Sequence, residues 1–498
     1  MTHVGDLGLV EASRSLAVGE LSAVDLVEGC LDRIAERDPS YGAWLNVYAD
    51  RALEQARGSD QRRTAGMALS LLDGVPVGLK DVIGAAGYPL TGDSAVLAGN
   101  IATVDSGAWS ALRRAGVILL GHLHCGEFAC GAGQRNPWGP DFSAGGSSSG
   151  SGVALAIRTV PATLGTDTRG SIRNPCAQNG VTGVKPTYGL VDAAGIIPLS
   201  TSYDVVGPMA RSAADCSALM SVLATRPVQP AQDDLTWPDG PRPGKRPLSG
   251  TRIGVPQFAA GVLAPGVAAV LERFTGELRD LGAQIVPLQR PDNPLEENGG
   301  RAGGYKTIIG AEAAALHNGL ADRWGLFREE FRKIFPPLLD TDGTAAQYVD
   351  AQRKRTILAT RWRTIFDELE LDAIAEPCMT GEILRVGYSA RDPNLPPRLF
   401  GMWSDTNFPV VSLPGGLSHV DSGPVGLQLI GVPFTEPLLL QIAIDYQART
   451  AHHLAEPPGL AILPEPLTPA KATDPVDDAW VTTPFTAPVH PFKVLYAT

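Results

Sequence analysis

The sequence predicts an α/β protein, a core sheet covered on both faces by helices. Short apolar runs bounded by glycine and proline recur from Gly74 onward, as buried strands do, and amphipathic helical patterns lie between them. With 498 residues, 44% of them hydrophobic, the chain can also bury a large core, which excludes disorder throughout.

The first element is a helix. Ser22 and Asp25 resemble a capping box, and Val24, Val27, Leu31 and Ile34 recur at helical spacing until Asp38 and Pro39 stop them. Strands are expected at Val75 to Leu79, Val117 to Leu120, Ala162 to Gly165, Arg252 to Val255, Gln284 to Leu288, Leu371 to Ala375, Val410 to Leu413 and Val425 to Ile430. The intervening helices are expected at Ser106 to Ala115, Val153 to Thr159, Val267 to Leu281 and Leu438 to Thr450.

Residues 226–251, rich in proline and charge, read as a surface connection, and 290–405, with charged helices and a proline-rich stretch near Asp392 to Arg398, as the substrate-shaping region. One domain is therefore expected over 1–455. The extension 456–498 carries too many prolines for a regular element and is expected to be extended. Its Trp480, Phe485, Phe492 and Tyr496 tilt the expectation toward docking on a neighbouring surface, and make a homodimer a fair expectation. The sequence contains no internal repeat.

The 41 basic and 53 acidic residues give a net charge of −12, which repels nucleic acid and anionic membranes and leaves a small-molecule or peptide-like ligand. The cysteines at 30, 125, 130, 176, 216 and 378 lack paired spacing, so neither a disulfide framework nor a zinc ribbon is indicated. Asp6, Glu11 and Glu20 interrupt the N-terminus where a signal peptide would be apolar, and no run of about 18 apolar residues follows. The expected address is the cytoplasm.

Gly145-Gly146-Ser147-Ser148-Ser149-Gly150-Ser151-Gly152 is a tight turn and not a linker, because the apolar Val153 to Ile157 follow at once. Such turns gather backbone N–H groups and hydroxyls at one point. A phosphate loop fails for want of Lys-Ser or Lys-Thr at the required spacing. Gly146 to Gly150 also fits a Gly-x-Ser-x-Gly elbow, with Ser148 as nucleophile and His317 or His419 as its histidine. A third reading takes in Gly165-Thr166-Asp167-Thr168-Arg169-Gly170-Ser171-Ile172-Arg173 downstream and Gly74-Val75-Pro76-Val77-Gly78-Leu79-Lys80-Asp81 upstream.

These three segments, in this order, resemble the amidase signature family. The likeness continues through Gly183 to Thr187, Val206 to Arg211, Asn407 to Pro409 and Gly423 to Gln428, and so spans roughly residues 5–450. It implies a Ser-Ser-Lys triad in which Ser171 is the nucleophile, Ser147 the serine on a cis peptide and Lys80 the base. It further implies a three-layer α/β/α sandwich with a mixed, twisted central sheet, no metal and no organic cofactor. The activity implied is hydrolysis of an amide or a related carbamate or hydrazide. An alternative within the resemblance is the glutaminase-like subunit of an aminoacyl-tRNA amidotransferase; a catalytically silent binding protein is disfavoured by the complete triad.

The chemistry agrees with that assignment. A serine hydroxyl needs a base, and a solvated lysine, with a pKa of about 10.4, is protonated at neutral pH; bringing it near 7 takes about 4 kcal/mol of differential interaction. An apolar strand end beside Pro76 and Leu79 is where desolvation supplies part of that. Backbone N–H groups of Thr168, Arg169, Gly170 and Ser171 are the expected oxyanion donors.

Asp81 and Asp167 read as structural hydrogen-bonding groups beside tight turns, and His122 and His124, with no second ligand cluster, as structural rather than metal-binding. Candidate substrate contacts are Arg169, Cys176, Tyr305 and Trp403, with Phe400 and Trp324 in the same region. Arg169 departs from the family pattern, which commonly places two glycines before the nucleophile. Its guanidinium either faces the substrate or turns away into an ion pair.

Overall fold

The protein is described by a computed structural model covering residues 4–131, 133–225, 237–296, 304–334, 344–386, 397–461, 463–465 and 467. Eleven strands form one mixed sheet, in the order β1-β3-β2-β4-β6-β5-β10-β11-β9-β7-β8. The strands are β1 (Trp44–Val47), β2 (Pro76–Lys80), β3 (Ile118–Leu123), β4 (Ala162–Asp167), β5 (Thr182–Lys185), β6 (Val205–Ala210), β7 (Arg252–Pro256), β8 (Gln284–Leu288), β9 (Ala373–Pro377), β10 (Val410–Leu417) and β11 (Pro424–Ile430).

The eight expected strands are all present, each within a few residues of its predicted bounds. β1, β5 and β6 are additions. The predicted N-terminal helix runs over Ala23–Tyr41 and passes Pro39 before Gly42, in the left-handed conformation, ends it. Ser22 caps it, accepting from the Asp25 N–H.

The candidate site begins with β2, which is parallel to both its neighbours, β3 and β4. Parallel strands end on the same edge of a sheet, so the loops leaving β2 and β4 meet there. Lys80 is the last residue of β2, and Thr166 and Asp167 close β4.

Helices α1 (Ser149–Ala156) and α2 (Arg173–Asn179) pack on each other and cover one face of the sheet. On the other, α3 (Ala213–Leu223) packs against α4 (Glu436–Gln447) over β5, β6, β10 and β11. The three-layer α/β/α expectation therefore holds. The segment 290–405 is not set apart from the sheet, since it supplies β9 between β11 and β7.

The first residues of the C-terminal extension lie across the end of the helix Ala23–Tyr41. Ser40 Oγ donates to the Pro464 carbonyl (2.6 Å), Tyr41 Oη to Gly459 (3.0 Å) and Leu467 N–H to Pro39 (2.7 Å). Trp480, Phe485, Phe492 and Tyr496 lie outside the described residues. No described helix is long and apolar enough to cross a membrane.

Candidate active site

Lys80 is completely buried, and its ammonium nitrogen is 2.7 Å from Ser147 Oγ and 2.8 Å from Thr166 Oγ1. Burial is the largest influence on it and lowers its pKa to about 8, against weaker opposing fields from Cys125, Asp204 and Asp167. The lysine is thus held near the point at which it can take a proton at physiological pH.

Ser147 ends the glycine turn, the Gly146–Ser147 peptide is cis, and α1 begins two residues later. The glycines of this helix have a packing reason. A Cβ on Gly150 would strike the carbonyls of Ala43 and His124, and one on Gly152 would strike Asn179 and Pro175. Only bare backbone lets α1 sit so close to its neighbours, and that closeness brings Ser147 to Lys80.

The loop that carries Ser171, the expected nucleophile, is built around Asp167. Its carboxylate accepts from Gly170 N–H (2.6 Å) and Ile172 N–H (3.2 Å), and receives the Arg173 guanidinium through two bonds of 3.0 Å. Burial opposes the charge, but the field and hydrogen bonds of Arg173 win and hold Asp167 down at about 2. Arg173 also donates to the Phe400 carbonyl and to Ser404, which pins the loop to α5 (Phe400–Asp405). Ser148 N–H donates to the Ser171 carbonyl (3.1 Å), tying the half-buried Ser171 to the residue that follows Ser147.

Asp167 is therefore structural, as expected, and so is Asp81, which accepts from Thr91 and Asp93. One oxyanion expectation changes. The Gly170 N–H is turned onto Asp167, which leaves Thr168, Arg169 and Ser171 as the candidate donors of that loop. The Ser148 elbow is overturned: Ser148 is buried, its Oγ donates to the Thr166 carbonyl (3.2 Å), His419 is exposed and His317 packs against Phe128 and Phe331.

Two substrate-contact expectations are corrected. Cys176 lies under the sheet, completely buried, with its thiol pushed well up by burial. A Cβ on Gly183 of β5 would strike its sulfur. Trp403 is also completely buried, packed against Trp362 and donating to Glu376 (2.6 Å). Phe400 is core as well.

Arg169 and Tyr305 do meet beside the nucleophile loop. The Arg169 guanidinium lies 3.5 Å from the Tyr305 ring centroid and pairs with Glu296 (2.6 Å) and Asp405 (2.8 Å). It has thus turned into ion pairs.

Several groups in the site carry no local sequence signal. Asp204 lies outside every motif singled out above, yet it holds Thr168 Oγ1 at 2.6 Å and caps the Leu199 and Ser200 N–H groups, and nothing in the pattern that begins at Gly165 marks Thr166 as a partner of Lys80. Arg173 closes the motif that begins at Gly165, but nothing in that pattern marks it as the partner of Asp167. His122 bonds Tyr48 and the Ile83 carbonyl and His124 bonds Asp93, and no cluster able to hold a metal occurs among the described residues.

Comparison with known proteins bears on the family and the fold. The family described as Amidase matches residues 25–440. A glutamyl-tRNA(Gln) amidotransferase subunit of Chloroflexus aggregans is 36% identical, over 92% of this chain and 99% of that protein. Among solved structures, the native peptide amidase of Stenotrophomonas maltophilia superposes with a TM-score of 0.75 at 29% identity, covering 89% of this chain and 97% of its own. A structure reported as a vestigial protein complex bearing on the origins of an s-triazine catabolic enzyme gives 0.76 at 28% identity, covering 89% and 98%.

Proposed function

The chain belongs to the amidase signature family, and from that premise we propose that it is a serine amidohydrolase that cleaves an amide or related acyl carbon–nitrogen bond through an acyl-enzyme on Ser171. The observation that carries this reading is the buried Lys80–Ser147 hydrogen bond, with the lysine lowered to about 8. Neutral Lys80 takes the Ser147 proton and Ser147 takes that of Ser171. Ser171 Oγ then bonds the carbonyl carbon, and the oxyanion is met by the N–H groups of Thr168, Arg169 and Ser171. The proton returns through Ser147 to the departing nitrogen as the carbon–nitrogen bond breaks, and water releases the acid.

A second reading, the glutaminase component of an amidotransferase that works with a partner, is favoured by the 36% identity to a protein of that name. Against it, free glutamine brings an ammonium group, and the two carboxylates that meet Arg169, Glu296 and Asp405, are already paired with its guanidinium.

The test is intact-mass analysis after exposure to a reactive fluorophosphonate, followed by turnover of amides, carbamates, hydrazides and glutamine by the purified chain alone. An adduct on Ser171 that Ser171→Ala removes and Ser148→Ala does not, together with hydrolysis of a non-glutamine amide, is expected. Ammonia release from glutamine only when a second protein is added would replace this reading by the second. No adduct on Ser171 would sink both.

A further inference from the structure

Arg169 holds a place that the family commonly gives to glycine, and it sits in a cavity shaped for a cation. Glu296 and Asp405 come from segments far apart in sequence, and each offers one carboxylate oxygen to a different nitrogen of the same guanidinium. Tyr305 lies flat beneath it at 3.5 Å, within the range of a strong cation–π contact. Gly401 makes the room, because a Cβ there would collide with both Arg169 Nη2 and Glu296 Oε1.

Asp405 is completely buried and takes its remaining hydrogen bonds from neutral donors, Tyr203 Oη (2.8 Å) and Asn293 Nδ2 (2.8 Å). Arg169 is the cation that balances it. The Arg169 side chain is 18% and the Glu296 side chain 35% exposed, so the cluster opens to solvent two residues from Ser171.

Resting on the amidohydrolase reading above, we propose that Arg169 is a specificity-determining residue: its guanidinium occupies a cation box of Glu296, Asp405 and Tyr305 beside the nucleophile and so turns away substrates with a positive charge near the scissile bond. A site with both anionic valences filled offers an incoming ammonium no partner and adds the repulsion of the resident guanidinium. Replacing Arg169 by glycine empties the box and leaves two carboxylates and an aromatic ring, with Arg398 near Tyr305 and Arg290 near Glu296 as the remaining cations; carboxylates beside an aromatic face are the surroundings in which alkylammonium groups are recognised.

The test uses two phosphonylating probes matched in shape and differing in charge, ethyl fluorophosphonates bearing a 5,5-dimethylhexyl or a 4-(trimethylammonio)butyl chain. Each phosphonylates Ser171 Oγ with loss of fluoride, and intact mass gives the rate. Wild type and Arg169→Lys are expected to favour the neutral probe. In Arg169→Gly the cationic-to-neutral rate ratio is expected to rise by about tenfold or more, the effect of one regained charge contact. Arg169→Met, which keeps an apolar chain over Tyr305, carries the same measurement if the glycine variant does not fold.

Labelling of wild-type Ser171 with a ratio unchanged in both variants, or no labelling of either folded variant by either probe, overturns the proposal and leaves the amidohydrolase reading standing. Failure of both probes to label wild-type Ser171 overturns that reading and the inference with it.

Discussion

At the scale of single residues the decisive quantity is the charge on Lys80. Only its neutral form accepts a proton, and burial brings its pKa from the ordinary 10.5 to about 8. The rate of Ser171 acylation should therefore rise with pH and level off above about 8. Lys80→Met and Ser147→Ala should each lower that rate by about 10²- to 10⁴-fold. The double variant should be little worse than the poorer single one, since both break one relay; a multiplicative loss would show that the two act separately. Stability follows the same group with a definite sign. The folded pKa lies below the unfolded one, so the unfolded state binds more protons between about pH 8 and 10.5. Stability should rise across that window by up to about 3 kcal/mol. A denaturation series on wild type and Lys80→Met checks this, because the rise should be smaller in the variant, where only other buried groups such as Lys185, lowered by burial to about 7, still contribute.

At the scale of elements, the loop after β4 and the helix α1 hold the chemistry in place. Asp167→Asn should leave Arg173 buried without its counter-charge, costing about 3–5 kcal/mol in chemical denaturation and slackening the nucleophile loop. Gly150→Ala should cost about 1–3 kcal/mol, since its methyl would meet two backbone carbonyls that have no side chain to swing aside. If either variant unfolds at the wild-type denaturant concentration, that account of its element is wrong.

These elements also show what sequence conveys. Continuous apolar runs such as Val117 to Leu120 identify their strands, whereas Thr182–Lys185 and Val205–Ala210, interrupted by Gly183, Gly207 and Pro208, show no clear period. The proposed triad can be named from sequence because three motifs agree in order. The surroundings are not, because an apolar residue type does not say which layer receives it. Cys176 and Trp403, expected at the substrate, lie in the core. Nor does any local pattern bring Glu296 and Asp405, 127 and 236 positions away, to Arg169.

At the scale of the whole molecule, the two ends of the chain are joined through hydrogen bonds that the fold of the sheet does not require. The extension crosses the end of the helix Ala23–Tyr41, whose following strand β1 forms the sheet edge next to β3. Arg135 adds to the contacts of Ser40, Tyr41 and Pro39 by donating to both the Ser40 carbonyl (3.0 Å) and the Glu465 carbonyl (2.8 Å). Asp38, in the last turn of the helix, turns the chain into β1 by accepting from the Ala43 and Trp44 N–H groups, and His124 N–H donates to the Ala43 carbonyl. His124 also packs against Gly150 of α1, so the extension is linked mechanically to the helix that positions Ser147. Ending the chain after Glu456 removes three hydrogen bonds to the helix end and one to Arg135, each worth about 1 kcal/mol net. Chemical denaturation of the shortened chain is therefore expected to show a loss of about 2–4 kcal/mol. If that linkage matters for catalysis, the Ser171 phosphonylation rate should fall before global unfolding as denaturant is added to the shortened chain, but stay coincident with unfolding in the full chain. Equal stability of the two chains would mean that the docked segment only follows a surface already fixed without it.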